Sequence, residues 1–153
     1  MAVVERNQAA YRALCTDLQN NRYWGYDYRE DASITGEIDD DTFYNDVKFD
    51  TEVGDSINFA IRLCEGGELI GEAILWNMTS NASCELGCRI LPAYQGKGYG
   101  KVAFSAAAAF AETSLRLCVT ARCDKRNTAS RRMIEHSGFA LVRQDKTHFY
   151  FER

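Results

Sequence analysis

The sequence predicts an α+β protein of three layers, in which a mixed, mostly antiparallel sheet lies between helices on its two faces. Three consecutive segments alternate apolar and polar residues as strands do, and short turns join them into an antiparallel meander. They cover residues 56–64, 69–78 and 83–91. A helical segment then leads to an apolar strand over 115–123, and a helical crossover makes two strands of one sheet parallel. A closing hairpin is predicted from strands over 139–144 and 147–152.

The first third of the chain is predicted to contain two helices and one long loop. Apolar residues recur at helical spacing over about 3–20, and paired asparagines end this segment. The loop over 22–36 is rich in aromatic and acidic residues, which are expected either to line an amine-binding pocket or to pack on the core. The acidic run 39–41 is typical of a helix N-terminus, so a second helix is predicted over 39–50.

The third strand, Ser83–Leu91, has two chemically different sides, because successive side chains of a strand point to opposite faces. One side carries Glu85, Gly87 and Arg89, and the other carries Leu86, Cys88 and Ile90. Pro92 has no N–H to donate to a neighbouring strand, so the strand is expected to end close to it.

Glycines occupy every second position of the loop that follows, Gln95-Gly96-Lys97-Gly98-Tyr99-Gly100-Lys101. Glycine allows positive φ and close approach to the backbone, and this loop opens a helix predicted over 98–114. The free N–H groups of a helix N-terminus bind phosphate, and two lysines add positive charge. An ordinary glycine-rich turn is the alternative. The P-loop and dinucleotide patterns are absent, since Gly98 follows Lys97 and Ala103 lies three residues beyond Gly100.

The wider arrangement around this loop resembles one protein family. Residues 95–100 fit the pattern Q/R-x-x-G-x-G/A, and a strand that ends at a proline precedes them. After an alanine-rich helix and a strand, Asn127-Thr128-Ala129-Ser130 opens a helix predicted over 128–137, which ends at Ser137-Gly138-Phe139. On these motifs, residues 56–153 resemble the GCN5-related N-acetyltransferases (GNAT). The Asn-x-x-Ser…Gly-Phe ending is similar to the branch that acetylates ribosomal-protein N-termini.

The resemblance implies that the protein moves an acetyl group from acetyl-CoA, its co-substrate, to a primary amine by direct attack. In the family fold the pantetheine arm lies between two splayed parallel strands, here Ser83–Leu91 and Leu115–Arg122, and a bulge at Gly87 is expected to let them separate. The family fold also begins with a strand; here that strand is expected to be short or missing, because almost nothing precedes the first helix. The resemblance assigns the acyl-CoA contacts to Cys88, Arg89, Ile90, Gln95, Gly96, Lys97, Gly98, Tyr99, Gly100, Lys101 and Asn127.

Two catalytic residues are predicted from what the reaction needs. An alkyl ammonium with a pKa of about 10 must lose a proton before it attacks, and a carboxylate can take that proton. Glu85 is the first candidate and Glu72, on the neighbouring strand, is the second, although either could instead be solvated or ion-paired. Many family members protonate the leaving thiolate with a tyrosine seven residues after the asparagine, where this chain has Ile134. The resemblance to the ribosomal-protein acetylating branch implies Ser130 as the substitute, and helix capping is its alternative role.

Composition narrows the class of protein. The chain has 153 residues, 46% of them hydrophobic, which fits one domain spanning residues 1–153. It has no apolar run of about 18 residues and no apolar signal segment, so we expect a cytoplasmic protein that binds no membrane. Its net charge of −4 and its scattered basic residues argue against nucleic-acid binding. Its six cysteines are expected to be reduced, and their spacing predicts no metal site.

The acceptor is left open by the sequence, since a small-molecule amine and a protein N-terminus both fit the predicted chemistry. The exposed edges of a sheet without its first strand invite pairing, so a homodimer is a further open expectation. A rival hypothesis is a regulatory module that binds acyl-CoA without turnover, because Ile134 leaves the usual acid position vacant.

Overall fold

The computed structural model of the protein describes residues 8–32 and 34–153 and contains a six-stranded sheet. The helices are α1 (Gln8–Thr16), α2 (Thr42–Val53), α3 (Tyr99–Phe110) and α4 (Thr128–His136). The strands are β1 (Ser56–Arg62), β2 (Leu69–Thr79), β3 (Ser83–Ile90), β4 (Cys118–Asp124), β5 (Ala140–Gln144) and β6 (His148–Glu152). Short 3₁₀ turns cover Tyr28–Glu30 and Pro92–Tyr94, and a π-helical turn, Ala111–Leu115, extends α3.

The strands of the sheet lie in the order β1-β2-β3-β4-β6-β5. β3 and β4 run parallel, while the other neighbouring strands of the described sheet are antiparallel. The chain passes from β3 to β4 through α3, which supplies the crossover that a parallel pair requires. The predicted mixed, mostly antiparallel sheet is therefore confirmed.

Two hydrophobic clusters place the helices on opposite faces of the sheet. The larger cluster joins α3 and α4 to the strands through Leu75, Leu86, Phe104, Ala108, Val119 and Ile134. The smaller cluster joins α1 and α2 to the strands through Tyr11, Leu14, Phe43 and Leu69. Full burial of one large apolar side chain stabilises a fold by about 1.5–3 kcal/mol, so these clusters hold the three layers together.

The second helix differs from its predicted range of 39–50 for a local reason. It begins three residues later, at Thr42, because the Asp39 carboxylate accepts the N–H groups of Asp41 (3.0 Å) and Thr42 (2.9 Å). These bonds hold residues 39–41 in a turn before the helix. The helix then continues to Gly54, whose φ of 80° ends it in the left-handed region that suits glycine.

Two other predicted boundaries also change. The strand predicted over 115–123 begins only at Cys118, since the π-helical turn extends α3 and Arg116 adopts a φ of 60°. The first helix, predicted over about 3–20, is described as α1 and ends at Thr16. Its first residues, and with them the question of a first strand, lie outside the described residues.

None of the described helices is both long and apolar enough to cross a membrane. Residues 8–32 and 34–153 contain no group of three or more histidine, cysteine or acidic side chains placed to hold a metal ion. The six cysteines are free thiols.

Candidate active site

β3 and β4 separate along their length and open a cleft between them. Their described parallel ladder covers three pairs, beginning with Ser83 opposite Cys118 and ending with Glu85 opposite Thr120. Beyond this point lies a cavity of about 840 Å³. The splay that the family resemblance implies is therefore present.

The predicted bulge at Gly87 is wrong. The ladder between β2 and β3 runs without a break from Gly71 opposite Ile90 to Trp76 opposite Glu85, and its irregularity lies beyond Trp76. β3 stays paired with β2 while β4 stays paired with β6, so the cleft opens where the two antiparallel halves of the sheet diverge.

The cleft brings together the predicted site residues with one exception. It is lined by Glu85, Cys88, Arg89, Ile90, Gln95, Gly96, Gly98, Tyr99, Gly100, Lys101, Asn127 and Ser130. Lys97 is not among the lining residues, and its ammonium lies 5.3 Å from the centroid of the Tyr94 ring. Residues from β3, the glycine loop and the start of α4 thus meet in one cavity.

The glycine loop presents free backbone donors to this cavity. Gly96 and Gly98 adopt φ values of 74° and 87°, and Gly98 caps α3 by accepting the N–H of Val102 at 3.2 Å. The N–H groups of residues 96–101 have no backbone acceptor within the described part of the chain. Unpaired donors at a helix N-terminus form an anion-binding site, so the loop is suited to a phosphate group.

Side chains fix the loop against the rest of the cleft. The Gln95 side chain donates through Nε2 to the Ile90 carbonyl and to Asn20 Oδ1, each at 2.8 Å. Gly100 allows α3 to approach closely, because a Cβ there would lie 3.1 Å from Met133 Sδ and 3.6 Å from Ile90 Cγ1. The end of β3, the α1–α2 loop and α4 therefore determine where the N–H groups of the loop point.

The thiol of Cys88 lies at the α3 side of the cleft, 4.0 Å from the Gly100 carbonyl oxygen. Burial, with a smaller contribution from the negative charge of Glu72, raises the pKa of Cys88 to about 12. A thiol with this pKa stays neutral at physiological pH, whereas nucleophilic catalysis needs a thiolate. The electrostatics of Cys88 therefore argue against a covalent acyl-cysteine.

Glu85 lies on the face of the sheet opposite α3. Its carboxylate accepts hydrogen bonds from Arg122 Nε at 2.9 Å and from Asn77 Nδ2 at 3.3 Å, and 16% of its side chain is exposed. Glu85 therefore lies beside the cleft, and its role as the base stays a prediction. Its ion pair with Arg122 corresponds to the ion-paired state that was the alternative for this residue.

Two tryptophans form an aromatic wall beside Glu85. The rings of Trp24 and Trp76 make an edge-on contact with centroids 6.2 Å apart, and both residues line the cavity. Trp24 belongs to the aromatic loop that the sequence singled out, whereas Trp76 was not predicted. The hairpin register was the available signal, because a turn over 79–82 places Trp76 opposite Glu85 and on the same face.

The aromatic residues of the loop over 22–36 divide between the cavity and the core. Tyr23 and Trp24 line the cavity, whereas Tyr28 packs edge-on against Phe43 of α2 at 6.2 Å. Tyr26 donates its hydroxyl to Asp31 at 2.8 Å, outside the cavity. Only the first two aromatic residues of this loop therefore belong to the candidate site.

Glu72, the second candidate base, lies in the core. It exposes 2% of its surface and forms an ion pair with Arg89 Nη2 at 2.7 Å. It does not line the cavity, so it has no route to an acceptor amine. The proposal of Glu72 as a base is wrong, because the side of β2 that carries it is covered by α1.

The N-terminal turns of α4 form a further wall of the cleft. Asn127 caps this helix by accepting the Ser130 N–H on Oδ1 at 3.1 Å, and the partly buried Ser130 lines the cavity. Ile134 also lines the cavity and exposes 1% of its surface. Ser130 and Ile134, four residues apart on α4, therefore both line the cleft, and Ile134 occupies the sequence position of the family's tyrosine.

Free N–H groups on the α3 side of the cleft suit a phosphate-bearing donor, and the Glu85 carboxylate on the opposite face suits a cationic or proton-releasing acceptor. The model of the acetyltransferase (GNAT) domain matches residues 4–140. The chain therefore belongs to the GNAT family and is an acetyl-CoA-dependent acetyltransferase, with an amine as its class of acceptor. No curated protein sequence matches the chain significantly.

Solved structures show the same fold across nearly the whole chain. A GNAT-family acetyltransferase from Bacillus anthracis has a TM-score of 0.80 at 20% identity, over 100% of this chain and 92% of that one. The spermidine N-acetyltransferase of Vibrio cholerae, crystallised with CoA and spermine, has a TM-score of 0.81 at 17% identity, over 99% and 93%. A Vibrio cholerae protein described as a ribosomal-protein-serine acetyltransferase has a TM-score of 0.73 at 17% identity, over 99% and 90%.

Proposed function

We propose that the protein transfers the acetyl group directly to a primary amine, with Glu85 as the proton acceptor and Ser130 as the proton donor to the leaving thiolate. The observation that carries this proposal is the open cleft between β3 and β4. The free N–H groups of residues 96–101 lie at its α3 side, and the Glu85 carboxylate lies on the opposite face. An acetyl donor and an amine can therefore meet in the gap without an enzyme nucleophile.

Acetyl-CoA fits the α3 side of this cleft. Its pyrophosphate binds the N–H groups of residues 96–101, beside the positive charges of two lysines. Its pantetheine arm follows the backbone of residues 88–90, along the edge of β3 that has no partner in β4 beyond Glu85. The N–H near Ile90 polarises the thioester carbonyl. The contacts assigned to the donor are Cys88, Arg89, Ile90, Gln95, Gly96, Lys97, Gly98, Tyr99, Gly100, Lys101 and Asn127.

The reaction forms one C–N bond and breaks one C–S bond. The amine nitrogen attacks the thioester carbon, and its proton moves to Glu85, directly or through one water molecule. A carboxylate has about four lone-pair positions, so Glu85 keeps room for this proton beside Arg122 and Asn77. The Ser130 hydroxyl passes its proton to the CoA thiolate as it takes one from a solvent water molecule, and Glu85 releases the proton of the amine to solvent after the transfer. Alignment of the two substrates supplies much of the rate.

The acceptor is a small-molecule amine or a protein N-terminus whose apolar part contacts Trp24 and Trp76. The names of two structural neighbours provide probes for the two classes: spermidine, and a short peptide with an N-terminal serine. Membership in the branch that acetylates ribosomal proteins, one domain over residues 1–153, a cytoplasmic location and a homodimer remain predictions.

The experiment measures thiol release from acetyl-CoA with spermidine, the serine peptide and a set of simple primary amines. Glu85→Gln is expected to lower kcat/KM by about 10²–10⁴-fold while the Kd for acetyl-CoA changes by less than about twofold. Glu135→Gln, which removes a carboxylate from the exposed face of α4, is the control. Failure to bind acetyl-CoA at millimolar concentration defeats the proposal, and binding without thiol release from any amine indicates the regulatory module instead.

A further inference from the structure

The guanidinium of Arg89 lies in a buried polar cluster on the α1–α2 face of the sheet. It donates to Glu72 Oε2 through Nε (3.0 Å) and Nη2 (2.7 Å), and to Asn21 Oδ1 through Nη1 (2.7 Å). Arg89 Nη2 also lies 3.2 Å from Cys15 Sγ, and the Tyr11 hydroxyl donates to Glu72 Oε1 at 2.9 Å. We call these five residues the Arg89 cluster; all are buried, so water does not compete for their hydrogen bonds.

Asn21 links the Arg89 cluster to the loop that carries the aromatic wall. Its Nδ2 donates to the carbonyl oxygens of Leu14 (2.7 Å) and Asp17 (2.8 Å), and so provides hydrogen bonds to carbonyl groups at the C-terminal end of α1. The backbone carbonyl oxygen of Asn21 accepts the backbone N–H of Trp24 at 2.9 Å. The centroid of the Trp24 ring lies 4.7 Å from the guanidinium carbon of Arg89, so the same guanidinium contacts both ends of this short turn.

Arginine is suited to this position because its planar group carries five N–H donors on its edge and can stack an aromatic ring on its face. The N–H groups of Arg89 reach β2, α1 and the α1–α2 loop, while its guanidinium carbon lies over the ring of Trp24. Stability alone does not require this arrangement, since well-packed apolar residues often replace a buried ion pair without loss. An apolar side chain would, however, leave Asn21 and Trp24 without the contacts that place them.

We propose that Arg89 is a positioning residue for acetyl transfer, which holds Trp24 and the α1–α2 loop over the acceptor side of the cleft. Its backbone belongs to the stretch of β3 assigned to the acyl arm, and its side chain holds the wall that the acceptor meets. One residue thereby sets the distance between the two substrates. This role rests on the proposed function, because it presupposes that an amine meets a thioester beside β3.

Tryptophan fluorescence measures the position of Trp24 without any knowledge of the acceptor. The chain contains two tryptophans, and both line the cleft, so Trp76→Phe leaves Trp24 as the only tryptophan, which is excited selectively at wavelengths that tyrosine does not absorb. In that background, Glu72→Met/Arg89→Met removes both buried charges and keeps similar volume, so that no carboxylate is left buried without its partner. We expect acrylamide quenching of Trp24 to rise by at least about twofold, because the loop has lost the contacts that order it.

Arg12→Met is the matched control, since it removes an arginine of α1 whose exposed ion pair with Asp40 spans 3.2 Å. It is expected to leave the quenching of Trp24 unchanged. Unchanged quenching in Glu72→Met/Arg89→Met as well would overturn the positioning role.

Kinetics provide a second readout, with spermidine or the serine peptide as the probe, whichever the wild type uses. Glu72→Met/Arg89→Met is expected to raise the acceptor KM about tenfold, with the Kd for acetyl-CoA changed by less than about twofold. Equal losses for amine and acetyl-CoA would instead show a general distortion of β3 and would overturn the proposal. If no amine is turned over by the wild type, the proposed function fails, while the quenching of Trp24 still decides whether Arg89 places this ring.

Discussion

Gly87 lies so close to the indole of Trp76 that a Cβ at this position would be 2.6 Å from Trp76 Cη2. The same Cβ would lie 3.1 Å from Cη2 of Trp24. Glycine at residue 87 thus lets both rings lie against β3 beside Glu85. The acceptor side of the cleft depends on a missing side chain in β3 as much as on the two tryptophans.

Gly87→Ala is expected to push Trp76 away from β3 and to lower the free energy of unfolding by about 1–3 kcal/mol, because an added methyl group overpacks this site. Turnover should fall while acetyl-CoA binding is kept, since the loop of residues 96–101 is not involved. Urea unfolding and thiol-release assays measure the two effects. Gly87→Ala/Trp76→Phe should recover most of the lost stability, because phenylalanine lacks the outer indole ring; a Gly87→Ala protein as stable as the wild type contradicts the packing described here.

Gly98→Ala is expected to weaken acetyl-CoA binding. A left-handed φ costs a residue with a Cβ about 1–2 kcal/mol, so relaxation of the loop would turn its N–H groups away from the phosphate. Gly66→Ala in the β1–β2 hairpin is a matched control, since Gly66 has a φ of 78°, Gly98 has 87°, and neither added Cβ meets an atom within 4 Å. Calorimetry with acetyl-CoA should show a higher Kd only for Gly98→Ala. The same Kd for both variants would exclude the loop as the phosphate site.

Alkaline pH is expected to destabilise the fold through Cys88. Its pKa in the folded protein is about 12, against an ordinary value of 9.0, so the folded state keeps a proton that the unfolded chain releases. The contribution of the protonated Cys88 thiol to the free energy of unfolding is therefore fully present below pH 9.0 and is lost as the pH rises towards 12. Unfolding curves measured between these values should decline less steeply for Cys88→Ala than for the wild type. Parallel declines would show that the Cys88 thiol is not shielded from water.

The Glu72–Arg89 ion pair is expected to be strongly coupled. Arg89→Met alone should lower the free energy of unfolding by about 3–5 kcal/mol, because it leaves the Glu72 carboxylate buried without its cation. Glu72→Met/Arg89→Met should cost much less, since apolar contacts replace both charges. Chemical denaturation of the single and double variants measures the coupling. Additive effects of the two single changes would mean that the charges do not interact in the core.

The local elements were largely predictable from the sequence. Alternating residues and short turns predicted β1, β2 and β3, and Pro92 correctly marked the end of β3. The predicted starts of α2 and β4 were wrong because local contacts compete with helix and strand propensity. Asp39 forms a turn where its charge predicted a helix start, and a π-helical turn delays β4 to Cys118.

The site was predictable only in part. The glycine loop and Asn127 could be found because each motif is contiguous in the chain, whereas Trp76 required the register of β2 against β3. Gly87 shows the limit most clearly. A glycine in a strand indicates either a bulge or a close approach of other atoms, and neighbouring residues do not distinguish the two. In the structure, the rings of Trp24 and Trp76 approach Gly87 closely, so this glycine makes room for them and does not form a bulge.

The class of protein could be predicted from the sequence, because strand alternation, glycine and proline chemistry and the loop motif act between neighbours along the chain. The pairing of Glu72 with Arg89, the contact of Trp24 with Trp76 and the pairing of Glu85 with Arg122 became visible only in the folded chain. These contacts join residues from different elements, and the Arg89–Asn21 bond spans 68 positions. Their formation depends on how α1 and its loop pack on the assembled sheet, which no local pattern specifies.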